Sequence, residues 1–241
     1  MNLLRVGVVV AVGVSLMGCS DTRRITSKRE ALTPKIDAIT AARATAKSFA
    51  GGPSKPAVPI VVSDKAPFDS ESNTLIIEDV AIDGFATEID PKGLHPRSQL
   101  EIGAGDDCAA DAASVLRFGH FRDDAPHAGA DGCASWLARL AYVVVIHLDS
   151  KSSSGADLDT HARGYAVVVA LDGGKALGRI PFDESSKGRF ENVVNVRTGA
   201  EGIRVVDAAT GTANLVRAAV SEGLEKTFPG TRFVGYRPTP R

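Results

Sequence analysis

The densest set of side chains able to do chemistry in this 241-residue chain is His120, Asp123, Asp124 and His127. Imidazole nitrogens and carboxylates suit zinc or another divalent ion, and a metal held there would serve a hydrolase. The spacing His-x2-Asp-Asp-x2-His matches no named metal motif. Pro126 and Gly129 make the segment a loop. Ligands can converge in a loop without a helix, but a solvated connection between helices has the same composition. The metal-dependent hydrolase is therefore the second reading of this chain. Gly103-Ala104-Gly105 stands before a helical pattern as a phosphate cradle would. Asp106 and Asp107 follow at once, and their carboxylates would repel the phosphate.

The N-terminus carries a different kind of signal. Arg5 is the only charged side chain before an uncharged, valine-rich stretch from Val6 to Gly18, which is too short to span a bilayer as a helix. The stretch ends Leu16-Met17-Gly18-Cys19. This resembles the lipobox of bacterial lipoproteins, and the resemblance covers the first 19 residues. It implies that residues 1–18 are a signal peptide removed on export. It also implies that Cys19 carries a diacylglyceryl group on sulfur and an acyl chain such as palmitate on nitrogen. Two or three chains anchor stably where one does not. Ser20 in place of Asp favours the outer membrane, periplasmic face, in a Gram-negative host. The partner implied is the membrane itself, reached through the lipid on Cys19.

With Cys19 assigned to lipid, Cys108 and Cys133 remain, an even pair in an oxidising compartment. A disulfide is the expected outcome. The rival is a thiol enzyme in which Cys133 is the nucleophile and His120, His127 or His147 the base. Cys133-Ala134-Ser135-Trp136 places Ser135, not the cysteine, beside the tryptophan, so it departs from the cysteine-protease pattern.

These residues need elements to position them. Residues 19–33 read as a lipidated cysteine followed by a polar tether with Arg23, Arg24, Lys28 and Arg29, basic enough to touch anionic headgroups. Residues 34–59 read as a helix and linker. Ile36, Ile39, Ala42, Ala46 and Phe49 recur at helical spacing until Gly51-Gly52-Pro53, with Ser27 and Glu30 as an alternative start. Residues 60–241 read as a single α+β domain. Its strands are expected at 60–62, 75–82, 142–148, 165–171, 176–182, 193–196 and 203–206, with helices near 106–118, 135–140 and 213–228. Asp172-Gly173-Gly174-Lys175 is a hairpin turn. The expected fold is an antiparallel sheet around the hairpin at about 142–182, with all helices on one face, the C-terminal helix included.

Composition removes some functions. Net charge is −1, with 24% charged and 5% aromatic residues. That supplies neither the field nor the stacking surfaces that nucleic acid requires. An anchor, a disulfide-stapled domain and no catalytic signature point to a non-enzymatic binding or accessory domain in the cell envelope. Its expected partner is an envelope protein, polymer or small ligand, with no cofactor.

Overall fold

The computed structural model describes residues 22–50, 73–82, 104–119, 121, 130–153, 160–185 and 208–227. Among them the chain is α+β. A helical turn over 22–27 leads into α1 (Arg29–Ala50), followed by β1 (Thr74–Glu78), α2 (Ala104–Phe118) and α3 (Ala130–Arg139). Then come β2 (Tyr142–Ser153), β3 (Thr160–Ala170), β4 (Lys175–Ser185) and α4 (Ala208–Thr227). The four strands form one mixed sheet in the order β1-β2-β3-β4. The strands expected at 60–62, 193–196 and 203–206 lie outside the described residues.

Two expectations are corrected. The sheet is not purely antiparallel, because β1 runs parallel to β2, from Thr74 opposite Tyr142 to Glu78 opposite Ile146. The chain between them passes through α2 and α3, the length of crossover that a parallel pair requires. The helices also lie on both faces of the sheet. Leu75, Ile77, Val143, Val145, Val167 and Val169 pack with α1, α2 and α3. Val144, Ile146, Ala166, Val168, Ile180 and Phe182 pack with α4. The cause is legible in the strands. Val143–Ile146 and Ala166–Val169 are unbroken apolar runs, buried residue after residue. A half-solvated strand would alternate, whereas a continuous run needs cover on two sides.

β2, β3 and β4 pair antiparallel in sequence. The β3–β4 turn, residues 171–174, uses Gly173 (φ 76°) and Gly174 (φ 60°), positive φ values that glycine adopts without strain. Pro181 lies on β4, an edge strand of the sheet among the described residues, where a proline is tolerated. The arms run past the apolar core into polar sequence, Ser150–Ser153 against Thr160–Arg163.

α1 begins at Arg29 and takes Pro34 inside it. It packs on the body. Ile25 and Leu32 are buried with Ile36, Ile39, Ala42 and Ala46, so residues 22–33, expected as tether, contribute to the core. Polar contacts reinforce the seam. Arg29 donates to the Leu116 carbonyl (3.2 Å), Lys28 to Ser135 Oγ (3.1 Å), and Lys35 to the Leu140 carbonyl. Arg117 pairs with Asp37 at 3.0 Å. α3 starts five residues earlier than the pattern predicts, and so carries Cys133 on a helix. Cys108 on α2 and Cys133 on α3 are joined in a disulfide with Cα atoms 5.3 Å apart, within the ordinary range.

Candidate functional site: a polar cleft beside His147

On the face covered by α1, the alternation of β2 runs Val143, Val145, His147, and that of β1 runs Leu75, Ile77, Asp79. The apolar part of this face lies under the helices. The polar ends emerge beside the C-terminal half of α1, and the space between is a cleft of about 490 Å³. Arg43, Ala46 and Lys47 of α1 form one wall. Glu78, Asp79, His147, Asp149, Lys151 and Tyr165 are among the residues that form the floor and the other wall.

Backbone geometry fixes the cluster. The Asp79 N–H donates to the Ile146 carbonyl at 2.8 Å, extending the parallel ladder by one rung. That sets the Asp79 carboxylate beside the imidazole of the next residue on β2. His147 Nδ1 and Asp79 Oδ2 are 2.6 Å apart. An ionised carboxylate can only accept, so Nδ1 carries the proton and donates. The ladder then slips between Leu148 and Ser150, leaving Asp149 as the extra residue of a β-bulge. Bulges re-aim side chains and recur beside functional sites. Here the bulge leaves Asp149 Oδ1 3.6 Å from His147 Nε2.

Tyr165 stands opposite His147 in the β2–β3 register, its ring 5.0 Å from the imidazole and tilted by 32°. The guanidinium of Arg179, 3% exposed, lies 4.6 Å from the centroid of the same ring, a cation–π geometry. Burial, with the Asp149 and Asp79 carboxylates adding to it, holds the Tyr165 phenol above its ordinary 10.0, and Arg179 opposes the shift. A second histidine–carboxylate pair, His161 Nε2 to Asp183 Oδ1 at 2.6 Å, bridges the solvent-exposed arms of β3 and β4.

With Nδ1–H committed to Asp79, a neutral imidazole turns the Nε2 lone pair toward the Asp149 carboxylate. Two acceptors 3.6 Å apart can share one donor from a ligand, an ammonium or hydroxyl group. The opposite wall contributes the cationic side chains Arg43 and Lys47. Chemically this is a small site lined by imidazole and carboxylate acceptors and by the cations Arg43, Lys47 and Lys151.

The chain matches no family model, no curated protein and no solved structure. What the site can do rests on its own geometry.

Of the residues singled out in the sequence, His120, Asp123, Asp124, His127 and Cys19 lie outside the described residues. Among the described residues, no three His, Cys, Asp or Glu side chains are placed to hold a metal ion. The Cys133 sulfur is bonded to Cys108, and so presents no thiolate to a substrate. His147 reads from its apolar neighbours as a core or edge histidine. In the structure its side chain is 38% exposed and bonded to Asp79. The signal for Asp79 and His147 was available as parity, since each stands two residues beyond a buried apolar partner on the same face. Nothing in the sequence says that β1 lies beside β2, so their meeting was not legible.

Proposed function

We propose that this chain is a lipid-anchored envelope lipoprotein with a non-enzymatic binding domain, and that its ligand enters the cleft beside His147. The ligand is a small polar molecule with an ammonium or hydroxyl donor for Nε2 and Asp149, and an anionic group for the cations of α1. The observation that carries the reading is His147, oriented by Asp79 and held next to Asp149 at the mouth of a 490 Å³ cleft. Such pockets bind by shape with a few convergent polar groups. The anchoring half rests on Leu16-Met17-Gly18-Cys19, with outer-membrane attachment on the periplasmic face in a Gram-negative host. The body is the α+β domain in which the hairpin of residues 142–182 is the central element. No described helix is long and apolar enough to cross a membrane, and the anchor reading asks for none.

The ligand half is tested by following the His147 imidazole resonances while amino acids, amino sugars and ethanolamine phosphate are titrated in. Saturable shifts for a ligand bearing both charges, lost in Asp149→Asn, support it. An imidazole unmoved at millimolar concentrations of every compound refutes it. The anchor half is tested by mass spectrometry of the N-terminal peptide from cells. An unmodified Cys19 thiol, or a Cys19→Ala chain that stays with the membrane fraction, ends that part of the proposal.

A further inference from the structure

Most of the segment expected as a tether, residues 22–33, belongs to the body. Among the described residues helical structure is present from residue 22 onward, and Ile25 and Leu32 are 1% and 0% exposed in the same core cluster as the sheet. The residues that would lift the body away from the membrane are instead part of it. Cys19 and Thr22 are three peptide units apart, which cannot reach further than ~11 Å. If Cys19 sits at the membrane surface, so does this end of the fold.

The surface brought there is basic. Arg23, Arg24 and Arg29 are exposed and Lys28 is half-buried. Among the described residues 22–30 one acid is exposed, Glu30, and Asp21 precedes them in sequence. Lys28 reaches Ser135 Oγ on α3, next to Trp136, the only tryptophan in the chain, and exposed Arg139 lies one turn further along that helix. Basic residues beside a lipid anchor are attracted to anionic headgroups, roughly fivefold in surface affinity per Lys or Arg.

We infer that the end of the body formed by residues 22–29 and α3 docks directly on anionic phospholipid. The cleft is then held off the bilayer at the far end of α1. From Arg29 to Arg43 the helix advances ~21 Å at 1.5 Å per residue. The lipid fixes where the protein is, and the basic end fixes which way the cleft faces. This rests on the lipoprotein reading above, and the experiment separates the two.

The test uses the lipidated full-length product purified from cells and reconstituted into vesicles. These contain phosphatidylcholine alone or with phosphatidylglycerol, each with a fraction of headgroup-nitroxide lipid as quencher. Trp136 is the intrinsic reporter. The expected result is stronger quenching of Trp136 when phosphatidylglycerol is present, lost at high salt. Arg23→Gln with Arg24→Gln weakens the contact roughly 25-fold and returns quenching to the phosphatidylcholine level. A Trp136→Phe/Ser48→Trp chain, its reporter at the other end of α1, stays unquenched in both. Equal quenching at positions 136 and 48, or quenching of Trp136 indifferent to phosphatidylglycerol, overturns the inference while leaving lipidation intact. If mass spectrometry of the same preparation shows an unmodified Cys19, the lipoprotein reading has failed and the inference falls with it.

Discussion

Gly164 offers a sharp test of how β2 and β3 approach each other beside the cleft. It pairs with Leu148 at the last regular rung before the Asp149 bulge. A Cβ placed on it would fall inside van der Waals contact of the His147 carbonyl oxygen and 2.9 Å from Phe182 Cζ. The first obstacle is backbone, so a rotamer change does not relieve it and the strands must part. Overpacking of this kind costs about 1–3 kcal/mol, and a weakened ladder bond adds about 1 kcal/mol, so Gly164→Ala should lose about 2–4 kcal/mol. At 2–4 °C per kcal/mol for a domain of this size, the midpoint falls by roughly 5–15 °C. Two other glycines calibrate the reasoning. Gly132 is exposed in α3, and a Cβ there would meet nothing within 4 Å, so Gly132→Ala should stabilise by up to about 1 kcal/mol through helix propensity. At Gly223 in α4 a Cβ meets Ile180 Cγ2 at 2.5 Å. Cγ2 is a branch methyl on the stiff Cβ of buried Ile180, so the side chain or α4 must shift; the obstacle is a side chain and not backbone, and Gly223→Ala falls between the other two. Thermal unfolding followed by circular dichroism gives all three midpoints. A Gly164→Ala protein melting within 2 °C of the parent, or below neither of the other variants, would show that this close strand approach is wrong.

Breaking the link between α2 and α3 with Cys108→Ser/Cys133→Ser should cost about 3.5 kcal/mol on the chain-entropy estimate for a loop of 25 residues, read as the drop in urea midpoint at constant slope. Leu32→Ala should cost about 2–5 kcal/mol, because Leu32 is fully buried; an unchanged midpoint would mean that α1 is a free stalk. Tyr165 titrates above its ordinary 10.0 in the fold, so its neutral form is favoured there. Its contribution is complete below pH 10 and is lost as pH rises from 10 through the higher folded value. Tyr165→Phe should flatten the alkaline limb of stability against pH, and an unchanged limb would count against the burial and carboxylate contacts assigned to that phenol.

What the sequence made legible and what it withheld divide along physical lines. Local signals carried far. Gly173-Gly174 marked a turn that needs positive φ, and the 3.6-residue recurrence of Ile36, Ile39, Ala42 and Ala46 marked a buried helical face. The pairing of Cys108 with Cys133 followed from compartment and parity of count. Non-local relations did not carry. The burial of Ile25 and Leu32 was hidden because the basic residues around them read as solvated, although two apolar residues seven apart are a helical spacing. The runs Val143–Ile146 and Ala166–Val169 held the clue to two-sided cover, but a short apolar run shows no period from which a face can be chosen. The Asp79–His147 bond depends on a parallel pairing between segments 68 residues apart in sequence, and no local pattern encodes a partner at that distance.

The same helix connects the two halves of the proposed function. α1 starts at Arg29, ten residues after Cys19 in sequence, and its C-terminal half lines the cleft, with Thr45 bonded to the Gly174 carbonyl of the β3–β4 turn. It is packed along its length on α2, α3 and the sheet. A ligand that draws Arg43 or Lys47 toward His147 and Asp149 therefore tightens α1 on the body, and ligand affinity and α1 docking are linked. Loosening α1 at Leu32, near its N-terminal end, should then weaken binding in the cleft even though Leu32 lines no part of it. By reciprocity, ligand should raise the stability of the Leu32→Ala chain by RT ln(1 + [L]/Kd), with Kd the variant's own weakened value. If Leu32→Ala lowers the unfolding midpoint yet leaves cleft affinity unchanged, α1 serves only as a covering helix, and the cleft must be completed by the sheet alone.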